Sequence, residues 1–106
     1  MAQFDVHRNR GQNQDAIPYV VTVQSAVFDD YRRRVVVPLV RKSYLDSVSL
    51  PRLNPTFEIE GTSVVLNPFE MVSVARNKLG PLVQSLANEG QQIIDALDEL
   101  LTRAHG

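Results

Sequence analysis

The run RVVVPLV at residues 34–40 limits the possible folds of this chain more than any other feature. Three consecutive valines favour extended backbone, and an uninterrupted apolar run predicts a strand that is buried on both faces. The run is far shorter than the ~20 residues that span a bilayer. Because Pro38 has no N–H to donate, we expect it at a sheet edge or at a bulge.

Two further strands are expected before this run. Phe4 and Val6 alternate with polar residues, which is the period of a half-buried strand. Residues 19–24 (YVVTVQ) are rich in β-branched side chains and predict a second strand. The polar residues 8–18 between them indicate an exposed connection.

A hairpin is expected in the middle of the chain. Glu60-Gly61 separates the extended stretches 57–59 and 62–66, and Gly61 is suited to a positive φ angle. Another extended piece is expected from Pro68 through Val74. The sequence thus predicts five or six short strands.

The period of the apolar residues changes in the final third of the chain. Asn88 is a plausible N-cap for a helix, with Glu89 in its first turn. One apolar stripe then recurs at helical spacing: Ile93, Ala96, Leu97, Leu100 and Leu101. We therefore expect a mostly β, α+β fold, with one C-terminal helix and a single domain over residues 1–106.

Composition argues against several classes of protein. The 11 Lys+Arg and 12 Asp+Glu residues give a formal net charge of -1, which argues against nucleic-acid binding through bulk charge. The absence of cysteine excludes disulfides, zinc–thiolate sites and a cysteine nucleophile, and it fits a reducing compartment. Residues 1–8 lack the apolar stretch of a signal peptide, so we expect a cytoplasmic protein with no membrane contact.

No catalytic motif is evident in the sequence. His7 and His105 are the only histidines, lie far apart in the chain, and are expected to be exposed without a special role. We therefore expect no enzyme activity, no metal and no cofactor.

The triplet Arg32-Arg33-Arg34 allows two interpretations. Guanidinium groups bind phosphate oxygens, so the triplet is suited to a phosphate site or to an electrostatic clamp in RNA cleavage. The more common case is a solvated turn whose arginines pair with nearby acids, here Asp29 and Asp30.

Two places favour contact with a partner protein. Val27 and Phe28 are adjacent apolar residues at the end of a strand, and successive strand residues point to opposite faces, so one of them is expected on the surface. The terminal helix is expected mainly to cover the core. Leu100 and Leu101 come late enough for one of them to face a partner.

Several strings, taken together, resemble the CcdB toxins of toxin–antitoxin systems. They are QFxV at residues 3–6, YxVxVQSxxxD at 19–29 and RRVVVPL at 33–39. The similarity continues through LxPxFxI at 53–59, MxSV at 71–74 and IxxALD at 93–98. The resemblance covers nearly the whole chain, in matching order.

The resemblance implies both a fold and a function. The fold would be an SH3-like β-barrel of the CcdB/MazF type, with a small inserted sheet and a C-terminal α-helix, assembled as a homodimer. The function would be to bind the DNA gyrase A subunit and to trap the gyrase–cleaved DNA complex, which inhibits replication and transcription. A CcdA-like antitoxin would neutralise the toxin. DNA would be contacted only indirectly, through the gyrase complex or through a repressor complex with the antitoxin.

The resemblance also assigns residues to two surfaces. The gyrase-binding surface would include Ser25, Val27, Phe28, Asp98, Leu101, Thr102, Arg103 and Ala104, and the dimer contact would involve Leu100. Known members end in Trp-Gly-Ile or Gly-Ile, whereas this chain has Thr102, Arg103 and Ala104 at those positions. The departure implies that this tail meets gyrase differently or that the target has changed.

Two alternatives accompany this interpretation. The first is a MazF-like endoribonuclease, but the chain lacks both the Gly-Asp-φ-Val strand start of those enzymes and a basic surplus for RNA. The second is a degenerate CcdB homologue that binds only antitoxin.

Overall fold

The structure is a computed structural model that describes residues 2–45 and 52–103, with the side chains of residues 102 and 103 left undescribed. Seven strands in these ranges form one antiparallel sheet. They are β1 (Asp5–Arg8), β2 (Tyr19–Thr22), β3 (Arg33–Arg41), β4 (Thr56–Ile59), β5 (Thr62–Leu66), β6 (Val72–Ala75) and β7 (Leu82–Ser85). One helix follows, α1 (Gly90–Asp98), which continues into a π-helical turn, Glu99–Arg103.

The sheet curls into a half-barrel, and the mostly β, α+β class is confirmed. Its strand order is β4-β5-β3-β2-β1-β7, and β6 also pairs with β3. The sequence predicted five or six strands, but the structure has seven in its described residues. The unpredicted strand is β7, which has only four residues and no clear alternation of apolar and polar side chains. Within the described ranges, no helix is long and apolar enough to cross a membrane.

The expectation that Pro38 lies at a sheet edge or a bulge is wrong. β3 is an internal strand, and Pro38 stands directly opposite Val20 of β2. On its other side, β3 pairs with β6 through Val36 and with β5 from Leu39 onward. Pro38 lies between these two pairings, and its carbonyl accepts a hydrogen bond from the Asn67 N–H at 3.0 Å. The missing donor is tolerated because the neighbouring strand changes at this point.

The hydrophobic core lies between one face of the sheet and α1. Side chains of the same parity on neighbouring strands share this face, as Val21 and Val37 do in register. The helix adds Ile93 and Ala96, with Leu97 packed against the same core. The predicted apolar stripe is therefore confirmed at these positions, whereas Leu101 is exposed. The buried cluster comprises Phe4, Val6, Tyr19, Val21, Val37, Leu39, Phe57, Ile59, Val64, Leu66, Leu86, Ile93 and Ala96.

The start of α1 differs from the predicted Asn88 cap. A 3-10 turn, Ala87–Glu89, precedes the helix and contains Asn88. The Ser85 hydroxyl accepts the Ala87 N–H at 3.1 Å and so satisfies one of the free donors. The helix begins at Gly90, where an added Cβ would lie 2.6 Å from Cε2 of Phe4. Glycine thus lets the first turn of the helix rest on the Phe4 ring.

The predicted hairpin is confirmed between β4 and β5. Glu60 and Gly61 have φ angles of 53° and 77°, the left-handed pair of a tight two-residue turn. The Glu60 carboxylate accepts hydrogen bonds from Nη2 of Arg8 at 2.8 and 2.9 Å and from the Tyr19 hydroxyl at 2.7 Å. The Tyr19 hydrogen bond is the main cause that lowers the pKa of Glu60. This network ties the tip of the hairpin to β1 and β2.

The expectation that His7 is exposed is wrong, and His105 lies outside the described residues. His7 is buried on the face of β1 that points away from the core, together with Asp5. Its Nδ1 atom has no hydrogen-bond partner within the described part of the chain. Burial is the main cause that lowers the pKa of His7, and the nearby Asp5 opposes this effect.

We expect the free energy of unfolding to fall as the pH drops below about 6.5, the ordinary pKa of histidine. The pKa of His7 is lower in the folded state, so below that pH the unfolded chain takes up a proton that the folded chain resists. Chemical denaturation between pH 5 and pH 8 measures this dependence. His7→Gln should flatten the curve. An unchanged slope in His7→Gln would contradict this assignment.

Candidate functional site

The loop between β2 and β3 forms a compact turn. Residues Ala26–Phe28 make one 3-10 turn, and the Ser25 hydroxyl accepts the Val27 N–H at 3.4 Å. The Phe28 N–H donates to the Ser25 carbonyl at 3.0 Å, and the Tyr31 N–H donates to the Phe28 carbonyl at 2.9 Å. The chain therefore reverses within a few residues and presents its side chains to solvent.

Three large apolar side chains are exposed on this turn. Val27, Phe28 and Tyr31 are 78%, 60% and 59% exposed, and we call this group the apolar turn. The sequence predicted one exposed residue of the first two, but both are exposed because they lie in a tight turn rather than on a strand. Sequence reasoning missed Tyr31, although a lone aromatic among charged neighbours was a usable signal.

An open pocket lies beside the apolar turn. Its volume is about 460 Å³, and it is lined by Val23, Gln24, Ser25, Phe28, Tyr31 and Val35. The structure thus places the predicted residues Ser25 and Phe28 around one pocket. Clustered apolar side chains in water are typical of a surface that binds another protein, and aromatic residues often contribute most of the binding energy.

The terminal helix contributes the other predicted contacts. Asp98 ends α1 and is exposed, Leu100 is half-buried, and Leu101 is exposed in the π-helical turn. None of these three lines the pocket beside the apolar turn. The backbone of Thr102 and Arg103 belongs to the π-helical turn. Their side chains, and all of Ala104, lie outside the described residues.

Arg33 and Arg34 of the predicted arginine cluster do not converge. Arg33 and Arg34 are successive residues of β3, so their side chains leave opposite faces of the strand. Arg33 donates from Nε to the Ser73 hydroxyl at 2.9 Å and from Nη2 to the Ser73 carbonyl at 2.7 Å. Arg34 is only 1% exposed, and it contacts the main-chain carbonyl of Asp29. The expectation of a solvated arginine turn is therefore wrong for Arg34.

A second cavity, of about 680 Å³, lies on the face of the sheet opposite the core, and we call it the outer groove. Apolar side chains such as Val20, Val36 and Val74 form its floor. Three cations, Arg8, Arg10 and Lys78, stand among its lining residues. The remaining lining residues are Asn9, Gly11, Gln12, Ile17, Pro38, Glu70, Val72, Asn77 and Leu79.

The comparison with protein families agrees with the resemblance seen in the sequence. The sequence model described as "CcdB protein" matches residues 3–103. A search of curated proteins found no match. The family match spans nearly the whole chain and accompanies a curled antiparallel sheet with one C-terminal helix. The chain therefore belongs to the CcdB family of toxins from toxin–antitoxin systems.

Proposed function

We propose that this toxin binds the A subunit of DNA gyrase through the apolar turn and traps gyrase on cleaved DNA. Membership of the CcdB family supports this proposal. The observation that carries it is the joint exposure of Val27, Phe28 and Tyr31 beside an open pocket. Burying these side chains against a partner removes apolar surface from water, which is the main driving force of protein association.

Such a poison needs no catalytic group. Gyrase itself cleaves and reseals DNA, and a ligand that binds the cleaved state more tightly shifts the population toward that state. Moving an equilibrium from 1:99 to 99:1 requires about a 10⁴-fold preference, or about 5.5 kcal/mol. A few well-buried anchor residues supply energies of this size.

The aromatic contacts of this toxin differ from those of the best-known family members. The chain contains no tryptophan, and Thr102, Arg103 and Ala104 replace the Trp-Gly-Ile ending. Phe28 and Tyr31 are exposed aromatic rings on the same turn. We therefore assign the main aromatic contact with gyrase to these two rings rather than to the C-terminal tail.

The protein acts as a homodimer in this proposal. The half-buried Leu100, in the turn that follows α1, supplies apolar surface for a second copy, and the exposed Leu101 stays with the gyrase-binding surface. A dimer related by a two-fold axis presents two identical apolar turns to its target. Two linked contacts hold the target more tightly than a single contact does.

The outer groove is the surface that best suits a CcdA-like antitoxin. Its floor is apolar, and Arg10 and Lys78 are exposed among its lining residues, with Glu70 as the one acid there. An acidic, amphipathic segment that orders on binding matches both the floor and the cations. In this proposal the antitoxin occupies a surface separate from the apolar turn.

Replacing Arg10 with glutamate should weaken antitoxin binding by about tenfold or more, because a like charge then faces an acidic segment. Gyrase binding should stay at the wild-type level. Titration of the purified toxin with each partner measures both affinities, and Arg76→Glu, an exposed cation that does not line the groove, is the matched control. Equal losses of antitoxin affinity in the two variants would contradict the assignment of the groove.

The endoribonuclease alternative has less support. An RNA clamp built from the arginine triplet requires side chains that converge on one phosphate. Here Arg33 binds Ser73, and Arg34 is buried against main-chain carbonyls. The net charge of -1 adds no general attraction for RNA.

Expression in two hosts tests the proposal. The toxin should stop growth of a strain with sensitive gyrase and should be harmless in a strain with a toxin-resistant gyrase A subunit. Toxicity that persists in the resistant strain would reject gyrase as the target. RNA decay in a purified reaction would then support the endoribonuclease, and folded protein that is harmless in both strains would support an antitoxin-binding homologue.

A further inference from the structure

Two polar side chains at the base of the β2–β3 loop hold the carbonyls of the apolar turn. The first is Gln24, which is half-buried and lies two residues after the end of β2. Its amide Nε2 donates to the Phe28 carbonyl at 3.1 Å and to the Arg33 carbonyl at 3.4 Å. Its Oε1 accepts the Val35 N–H at 3.1 Å. One side chain thus joins the apolar turn to the first residues of β3.

The second is Arg34, whose buried guanidinium reaches the same loop from β3. Nη1 donates to the carbonyls of Tyr31, at 2.5 Å, and Arg33, at 3.1 Å. Nη2 donates to the carbonyl of Asp29. Burying a cation is costly unless hydrogen bonds replace its hydration. Main-chain oxygens bind Nη1 and Nη2 of Arg34, whereas its Nε has no partner among the described residues.

Together the two side chains bind four main-chain carbonyls between Phe28 and Arg33. Gln24 binds the carbonyl of Phe28, and Arg34 binds those of Asp29 and Tyr31. Both side chains also bind the carbonyl of Arg33. These bonds add to the main-chain hydrogen bonds of the 3-10 turn and reduce the number of conformations that the loop can sample.

We infer that Gln24 and Arg34 are positioning residues, which hold Val27, Phe28 and Tyr31 in their target-binding arrangement before the target arrives. The inference rests on the proposed function, since it explains how the gyrase-binding surface is prepared. A surface that is already ordered loses less conformational entropy on binding and so binds more tightly. Arg34 is buried and acts without touching the target, whereas Gln24 also lines the pocket beside the apolar turn.

Hydrogen exchange of the loop amides separates this role from a general effect on stability. The amides of Phe28, Asp29 and Tyr31 donate within the loop at 3.0, 3.1 and 2.9 Å. Gln24→Met removes every hydrogen bond of the Gln24 side chain but keeps its length. In this variant the backbone amides of the loop should exchange about tenfold faster. Core amides such as that of Val37 should exchange as in the wild type.

The affinity for the gyrase A subunit should fall by about the same tenfold factor in Gln24→Met. The matched control is Gln84→Met, because Gln84 is also half-buried and donates to a carbonyl, that of Glu58 at 3.5 Å, outside this loop. Arg34→Lys keeps the charge but loses the forked donor, and it should also speed exchange of the loop amides.

The inference would be overturned if the loop amides of Gln24→Met exchanged at the wild-type rate. It would also be overturned if the same amides exchanged equally fast in Gln84→Met and Gln24→Met. Faster loop exchange with unchanged affinity for gyrase A would also overturn it, because the arrangement would then not matter for binding. If the wild-type protein fails to bind gyrase A, the proposed function fails. The exchange rates would still show whether the two side chains hold the loop.

Discussion

Replacing Phe28 with alanine weakens binding to the gyrase A subunit by about 30-fold or more in this account and leaves the free energy of unfolding nearly unchanged. The ring is 60% exposed, so its removal opens no cavity in the core. An aromatic anchor at the centre of an interface contributes about 2 kcal/mol or more, which is about a 30-fold change in affinity. Titration calorimetry gives the affinity, and denaturant unfolding gives the stability.

Phe69→Ala is the matched control for this substitution. Phe69 is 69% exposed and belongs to a different 3-10 turn, Pro68–Glu70. Its removal deletes the same number of atoms without touching the apolar turn, so gyrase affinity should stay at the wild-type level. A clear loss of stability in Phe28→Ala would show that the ring is part of the core. Equal losses of affinity in both variants would contradict the assignment of the surface.

The largest expected effect on stability lies in the terminal helix. Ile93 is fully buried between α1 and the sheet, and its truncation to alanine should cost about 2–5 kcal/mol. Total stabilities of single domains are about 5–15 kcal/mol, so this variant loses a large share of its stability. Denaturant unfolding followed by circular dichroism measures the loss.

The neighbouring residue provides the control for this prediction. Ile94 is 38% exposed, and Ile94→Ala should cost well under half as much, since water already reaches its side chain. Similar losses in the two variants would mean that the helix is rotated relative to the sheet. A larger loss in Ile94→Ala would contradict the described packing of α1.

Local patterns in the sequence predicted the features that depend on neighbouring residues. The left-handed turn at Gly61 follows from the preference of two-residue hairpins, and the phase of Ile93 and Ala96 follows from helical periodicity. The exposure of Val27 and Phe28 was partly predicted, because adjacent apolar residues cannot both enter one core from a strand. These patterns act over a few residues, so the sequence displays them directly.

Features that depend on distant parts of the chain were not predictable in the same way. Pro38 is tolerated in an internal strand because the neighbour of β3 changes from β6 to β5 beside it. His7 is buried on the outer face of the sheet, where β1 lies between β2 and β7 and His7 pairs in register with Val20 and Leu82. Neither effect is visible from the residues that flank these positions.

The candidate site also combines features that the sequence predicts with features that it does not. The sequence singled out Phe28 as an apolar residue in a polar setting, but it gave no sign that Gln24 and Arg34 hold the loop. Their hydrogen bonds go to main-chain carbonyl and N–H groups, which do not depend on the type of side chain. Polar side chains that bind the main chain thus leave no pattern of residue types in the sequence.

Adding the purified toxin to gyrase and supercoiled DNA tests the central claim most directly. After denaturation of the enzyme, linear DNA should accumulate in proportion to the toxin, and Phe69→Ala should act like the wild type. Phe28→Ala should need a far higher concentration for the same amount of linear DNA. Supercoiling at an unchanged rate, with no linear DNA at any toxin concentration, would contradict the account.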